Sequence, residues 1–123
     1  MPRLLPPTRH DVESRWLALA RGEVTREAVC SWAEPLMLAD YEEFLDIMVM
    51  QALQYLHGFD MTYRSADRRL IGHGPPGPYV RTLDEVSSEL DSWRGRCAAY
   101  DADPAGWVAA RRREAEAKVR DLP

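Results

Sequence analysis

The stretch DYEEFLDIMVMQALQYLHG, residues 40–58, decides how this chain folds. Its apolar positions Phe44, Leu45, Ile47, Met48, Val49, Ala52, Leu53 and Leu56 cover most of a helical cylinder, the pattern of a helix buried on nearly all sides. Asp40 followed three residues later by Glu43 reads as a capping box, and Gly58 as the stop. The spacing therefore predicts a central helix over residues 40–57. Asp46 and Gln51 interrupt the apolar run, which falls short of the roughly 20 residues needed to cross a bilayer.

Working outward, cap signals mark four further helices. Thr82 and Glu85 form a second capping-box pair, followed by Val86, Leu90, Trp93 and Cys97 on one face, so a helix over residues 82–97 is expected to pack against the central one. Asp103 before Pro104 starts a last helix reaching about Leu122, with Trp107, Val108, Val119 and Leu122 as its apolar contacts. Upstream, Thr8 with Asp11 caps a helix whose face is Val12, Trp16, Leu19 and Ala20, and Gly22 ends it. Thr25 starts another, with Val29, Trp32, Ala33 and Leu36 inward and Pro35 inside the pattern, where a kink or break is expected. The four tryptophans read as packing anchors.

Residues 59–81 show no helical period. A short strand at RRLI (68–71) or PYV (78–80) is conceivable, but the alternating runs are too few to build a sheet. The expected fold is thus all-α, a compact bundle of about five helices with one long Pro/Gly-rich loop. At 123 residues the chain has the size of one domain, with residues 1–7 expected to be a flexible lead-in.

Inside that loop, GHGPPG (72–77) matches the letters G-x-G-x-x-G. A phosphate cradle needs backbone N–H groups at a helix start after a strand. Pro75, Pro76 and Pro78 have none, and the next helix begins only at Thr82, so the motif reads as a stiff turn. No motif calls for a cofactor. Cys30 and Cys97 fall in different helices without a C-x-x-C pair and read as buried thiols. There is no secretory h-region, so a cytoplasmic protein is expected, without membrane association.

The net charge is −4, unevenly spread: no Lys or Arg lies between Glu27 and Tyr63, where Glu27, Glu34, Asp40, Glu42, Glu43, Asp46 and Asp60 all fall. That asymmetry disfavours an acidic or nucleic-acid partner and suits a basic protein. The arginines at 111–113 interleave with no aromatics, and the i, i+4 pairs Glu114 with Lys118 and Glu116 with Arg120 account for that segment as a solvated helix face. No nucleophile elbow surrounds any serine, so no catalytic residue is assigned.

The candidate partner-binding surface is Asp40, Glu42, Glu43, Asp46 and Asp60, with Tyr41 and Tyr63 as aromatic anchors and His73 and Tyr79 on a rim supplied by the loop. A homodimer is compatible with this reading. The alternative is a two-His, one-carboxylate metal or acid–base site from His57, Asp60 and His73, which flank the loop. A nucleic-acid accessory role through the C-terminal arginines is a third reading.

The segments GEVTREAVCSWAEPL, ALQYLHGFDMT, PYVRTLDEVSSELDSWR and YDADPAGW together resemble a group of small actinobacterial helical proteins, several of which look like immunity partners of polymorphic toxins. The matching positions are Thr25, Arg26 and Glu27 with Trp32 and Ala33, the turn Leu56-His57-Gly58-Phe59-Asp60, and Tyr79-Val80. What the resemblance implies is an acidic, helical protein made to occupy a partner; the expected function is non-enzymatic binding of a basic protein such as a toxin domain.

Overall fold

The computed structural model describes residues 5–123. Its elements are α1 (Arg9–Ala20), α2 (Arg26–Leu38), α3 (Ile47–Gly58), β1 (Met61–Tyr63), β2 (Ile71–His73), α4 (Leu83–Ala102) and α5 (Pro104–Arg120). The described residues are thus mostly helical, with five helices and one small antiparallel sheet. Among them no helix is long and apolar enough to cross a membrane. Residues 1–4 of the expected flexible lead-in lie outside the described residues.

The chain forms two compact units that part within α4, the first up to Asp91 and the second from Ser92 to Pro123. In the first, Val12, Trp16 and Leu19 of α1, Val29 and Ala33 of α2, and Met48, Val49, Ala52, Leu53 and Leu56 of α3 are buried, together with Phe59, Val86 and Leu90. Each large side chain so removed from water contributes about 1.5–3 kcal/mol. Trp16 packs tilted against Tyr55 and edge-on against Phe59 at centroid distances of 5.3 and 5.5 Å, and its indole N–H donates to the Val86 carbonyl at 2.8 Å. A buried polar tip is thereby satisfied at the centre of an apolar cluster.

The caps explain where most helices start and stop. Thr8 and Asp11 bond reciprocally, and the Thr8 N–H holds the Asp11 carboxyl below its ordinary value. Gly22, at φ 73°, closes α1: its N–H reaches the Leu19 carbonyl at 2.9 Å, and the Glu23 N–H reaches Ala18 at 2.9 Å, a Schellman arrangement. Thr82 and Glu85 form the second box, each bond 3.1 Å. Helix α4 runs to Ala102, beyond the expected end at Cys97.

Three expectations are corrected. Pro35 does not break α2, which continues to Leu38; the carbonyl it leaves without a donor belongs to Ser31, on an exposed turn where water can serve it. The central helix starts at Ile47 rather than Asp40, because residues 39–46 are spent reversing the chain between α2 and α3. Asp46 is therefore the cap, its carboxylate accepting from the Met48 N–H at 2.9 Å, and Phe44 is fully exposed instead of buried. Residues 59–81 form the two-stranded sheet and a folded-back turn, not a structureless loop.

In the second unit, Trp93 and Cys97 are buried, but no residue of α5 is, and Val108, Val119 and Leu122 are exposed. Trp107 packs edge-on against Tyr100 at 5.7 Å, with the Arg111 guanidinium 5.2 Å above its ring. Asp103 caps α5 through the Gly106 N–H at 3.0 Å, and Arg111 pairs with Glu114 at 2.9 Å. Trp32 and Trp107 are half-buried, so only Trp16 and Trp93 are full core anchors.

Candidate functional site

Two regions of the first unit carry the chemistry, and both depend on how the chain leaves α3. Strand β1 pairs antiparallel with β2 in the register Met61 to His73, Thr62 to Gly72 and Tyr63 to Ile71. The hairpin end is closed locally: Asp67 accepts from the Ser65 hydroxyl at 2.6 Å and from the Arg69 N–H at 3.2 Å.

The GHGPPG turn then folds back along β1. The Gly74 N–H bonds the Asp60 carbonyl at 2.9 Å, Tyr63 N–H bonds Pro78 at 3.0 Å, and Val80 N–H bonds Met61 at 3.0 Å. The Thr62 hydroxyl donates to the Gly74 carbonyl at 2.6 Å. Gly74 has φ 75°, and a Cβ on Gly77 would lie 1.8 Å from the Tyr63 carbonyl oxygen, so the glycines serve conformation and close approach. The Gly74 N–H that a phosphate would need is bonded to the chain itself.

Arg26 fastens this excursion to α2. Its buried guanidinium donates to the Phe59 carbonyl at 3.0 Å and the Arg81 carbonyl at 2.7 Å, one at each end of the segment. It also lies 4.1 Å from the centroid of the Tyr79 ring, whose hydroxyl donates to Glu27 at 2.7 Å; that bond holds the phenol proton and raises Tyr79 above its ordinary value.

So anchored, the hairpin brings His73 to the end of α3. His73 Nδ1 lies 2.5 Å from Asp60 Oδ1 and 3.8 Å from Cys30 Sγ on α2. The rings of His57 and His73 meet edge to face at 4.7 Å. The Asp60 side chain is 7% exposed and that of His73 46%, so a buried carboxylate meets an imidazole that reaches solvent. Burial first, and then the Asp60 carboxylate, push the Cys30 thiol up to about 11. Cys30 is therefore protonated at neutral pH. With Asp60 and Cys30 both on the same imidazole nitrogen, the relay of a nucleophilic triad, which needs the thiol and the carboxylate on opposite nitrogens, is not formed.

His57, Asp60 and His73 thus come together as one cluster. Cys30 joins them from 43 positions before His73, a partner that no local sequence signal announces. Neither Cys30 nor Cys97 is in a disulfide bond.

The acidic residues divide differently. Asp40, Glu42 and Glu43 are exposed in the 39–46 connection, where no helix aligns them on one face. Between and beside them stand Phe44, fully exposed, Leu38 at 82% and Ile47 at 43%. Tyr41 is half-buried and its hydroxyl donates to the Leu36 carbonyl. Asp46 is taken up by the cap and by Arg9, whose Nε lies at 2.7 Å. Asp60 points inward, and Tyr63 lies half-buried with the Arg68 guanidinium 4.9 Å from its ring centroid. Asp46 and Asp60 therefore belong to the scaffold rather than to an open acidic face.

Comparison with protein-family models, with curated proteins and with solved structures returned no match.

Proposed function

We propose that this protein is a non-enzymatic binding module of the immunity or toxin-neutralising type, which presents an acidic surface to a basic protein partner. The observation that carries this reading is the fully exposed Phe44 in the same short connection as the exposed Asp40, Glu42 and Glu43, with Leu38 exposed at the end of α2. An aromatic side chain held in water is an unpaid hydrophobic contact, and acids around it favour a cationic counterpart by steering and by register. The run between Glu27 and Tyr63 contributes acids and no Lys or Arg of its own, so its formal charge is negative.

The partner such a surface fits is a basic toxin domain, whose nucleic-acid-binding or catalytic face the acidic connection would cover. The test is association with the toxin domain encoded beside this chain's own gene, measured by surface plasmon resonance at low and physiological salt. Phe44→Ala should weaken affinity by roughly 10-fold or more, chiefly through faster dissociation, and Glu42→Lys with Glu43→Lys should slow association at low salt. Both variants should keep the stability of the parent within about 0.5 kcal/mol, since the residues are exposed. Unchanged binding in the combined variant would remove the surface, and a gene neighbourhood with no toxin would remove the immunity assignment.

A second reading, metal-dependent chemistry, is favoured by the convergence of His57, Asp60 and His73 with Cys30. It draws on none of the exposed residues of the first.

A further inference from the structure

We propose that Cys30, His57 and His73 form a site for a divalent transition ion of the zinc class, with Asp60 orienting His73 and water completing the coordination. The inference is independent of the acidic surface and goes beyond it.

Four observations support the site. One donor atom from each of Cys30, His57 and His73 lies within 4.8 Å of the other two. Zinc bonds of about 2.3 Å to sulfur and 2.0–2.1 Å to nitrogen place tetrahedral donors roughly 3.5 Å apart. The triangle is therefore at most about 1 Å too wide, a gap that small adjustments of the three side chains can close on binding. Second, one thiolate and two imidazoles are a donor set suited to zinc and its borderline-soft neighbours, and poorly suited to calcium or magnesium.

Third, the carboxylate stands where such sites place one. Asp60 contacts His73 Nδ1 at 2.5 Å and so fixes the ring beside Cys30 and His57; an ion on this site would take the ring's other nitrogen. Fourth, the site joins fixed donors to an entry path: Cys30 and Asp60 are buried, while His73 reaches solvent. Binding displaces the Cys30 proton to solvent, and no oxidation or reduction is involved.

The three donors come from α2, the last turn of α3 and β2, so the ion would cross-link the hairpin to the helices. Three protein ligands leave one tetrahedral position for water, and His73 reaches solvent beside it.

The test uses the full chain titrated with Co²⁺ as a spectroscopic probe and then with Zn²⁺ in competition. One equivalent of cobalt should bind with a thiolate-to-metal charge-transfer band and the visible bands of tetrahedral coordination. Cys30→Ser should abolish the charge-transfer band and weaken Zn²⁺ binding by roughly 100-fold or more, at or beyond the top of the range for outer-shell changes. Asp60→Asn should keep the band and weaken binding by about 10–100-fold. Cys97→Ser should change neither. Should circular dichroism show Cys30→Ser unfolded, His73→Ala, at a half-exposed position, supplies the same readout through lost affinity. A folded parent protein without the band, a band that survives Cys30→Ser, or zinc affinity indifferent to His73→Ala would overturn the site.

Discussion

The connection over residues 39–46 and the cluster of Cys30, His57, Asp60 and His73 are built in opposite ways. In the connection, neighbours in sequence are neighbours in space, and Asp40, Glu42, Glu43 and Phe44 all face water. In the cluster, residues from three elements converge, and Asp60 and Cys30 are buried. A surface of the first kind invites another molecule through side chains that stand in water. One of the second kind has made its contacts, and its interest lies in what their combined donor atoms can hold. The same chain therefore offers an exposed outer surface and a packed inner constellation.

The placement of the cluster rests on its anchors, so the largest effect is expected there. Arg26→Ala leaves the Phe59 and Arg81 carbonyls without their donor, and bonds to a charged group contribute about 1.5–3 kcal/mol each. A loss of about 3 kcal/mol in urea unfolding is expected. Amide exchange should accelerate first across β1 and β2 while α3 stays protected; uniform acceleration over α1 to α3 would show that Arg26 supports the helices instead of the hairpin. Gly77→Ala comes next. Its methyl would collide with the Tyr63 carbonyl, and backbone cannot yield as a side-chain tip does, so about 1–3 kcal/mol is expected in the same unfolding assay. If Gly77→Ala is neutral, the turn is not pressed against β1, and the positioning of His73 has another source.

Much of the fold was legible because caps are local. Thr8 with Asp11, Thr25, Thr82 with Glu85, and Asp103 before Pro104 each start a helix where their chemistry requires one. The apolar face of Val86, Leu90, Trp93 and Cys97 is buried as its spacing implies. The first turns of the central helix misled because Asp40 with Glu43 and Asp46 are both valid caps, and only the reversal after Leu38 decides between them. The hairpin escaped notice because its strands have three residues each and take their support from Arg26 and from the turn folding back, which no alternation records. For the site, the placing of His57, Asp60 and His73 at the ends of one loop was readable. Cys30 was not, since helix α2 gives it the same pattern as any buried small residue.

Asp46 lies between the two kinds of region and gives the finest test of where one ends. As an acid in the one-signed run it belongs with Glu42 and Glu43; as the cap of α3 it belongs with the scaffold. Asp46→Ala removes the cap and the contact with Arg9 and should cost about 1 kcal/mol, the usual loss for a capping side chain. Asp46→Asn retains an oxygen for the Met48 N–H and gives up only a partly exposed ion pair, so it should cost no more than about 0.5 kcal/mol. Thermal and urea unfolding of the two variants separate these terms. Equal costs would put the energy in the charge pair with Arg9, whereas two neutral variants, with binding to a basic partner lost, would return Asp46 to the outer surface. The expected gap of about half a kcal/mol is small, yet it follows from a single oxygen atom and its one backbone donor.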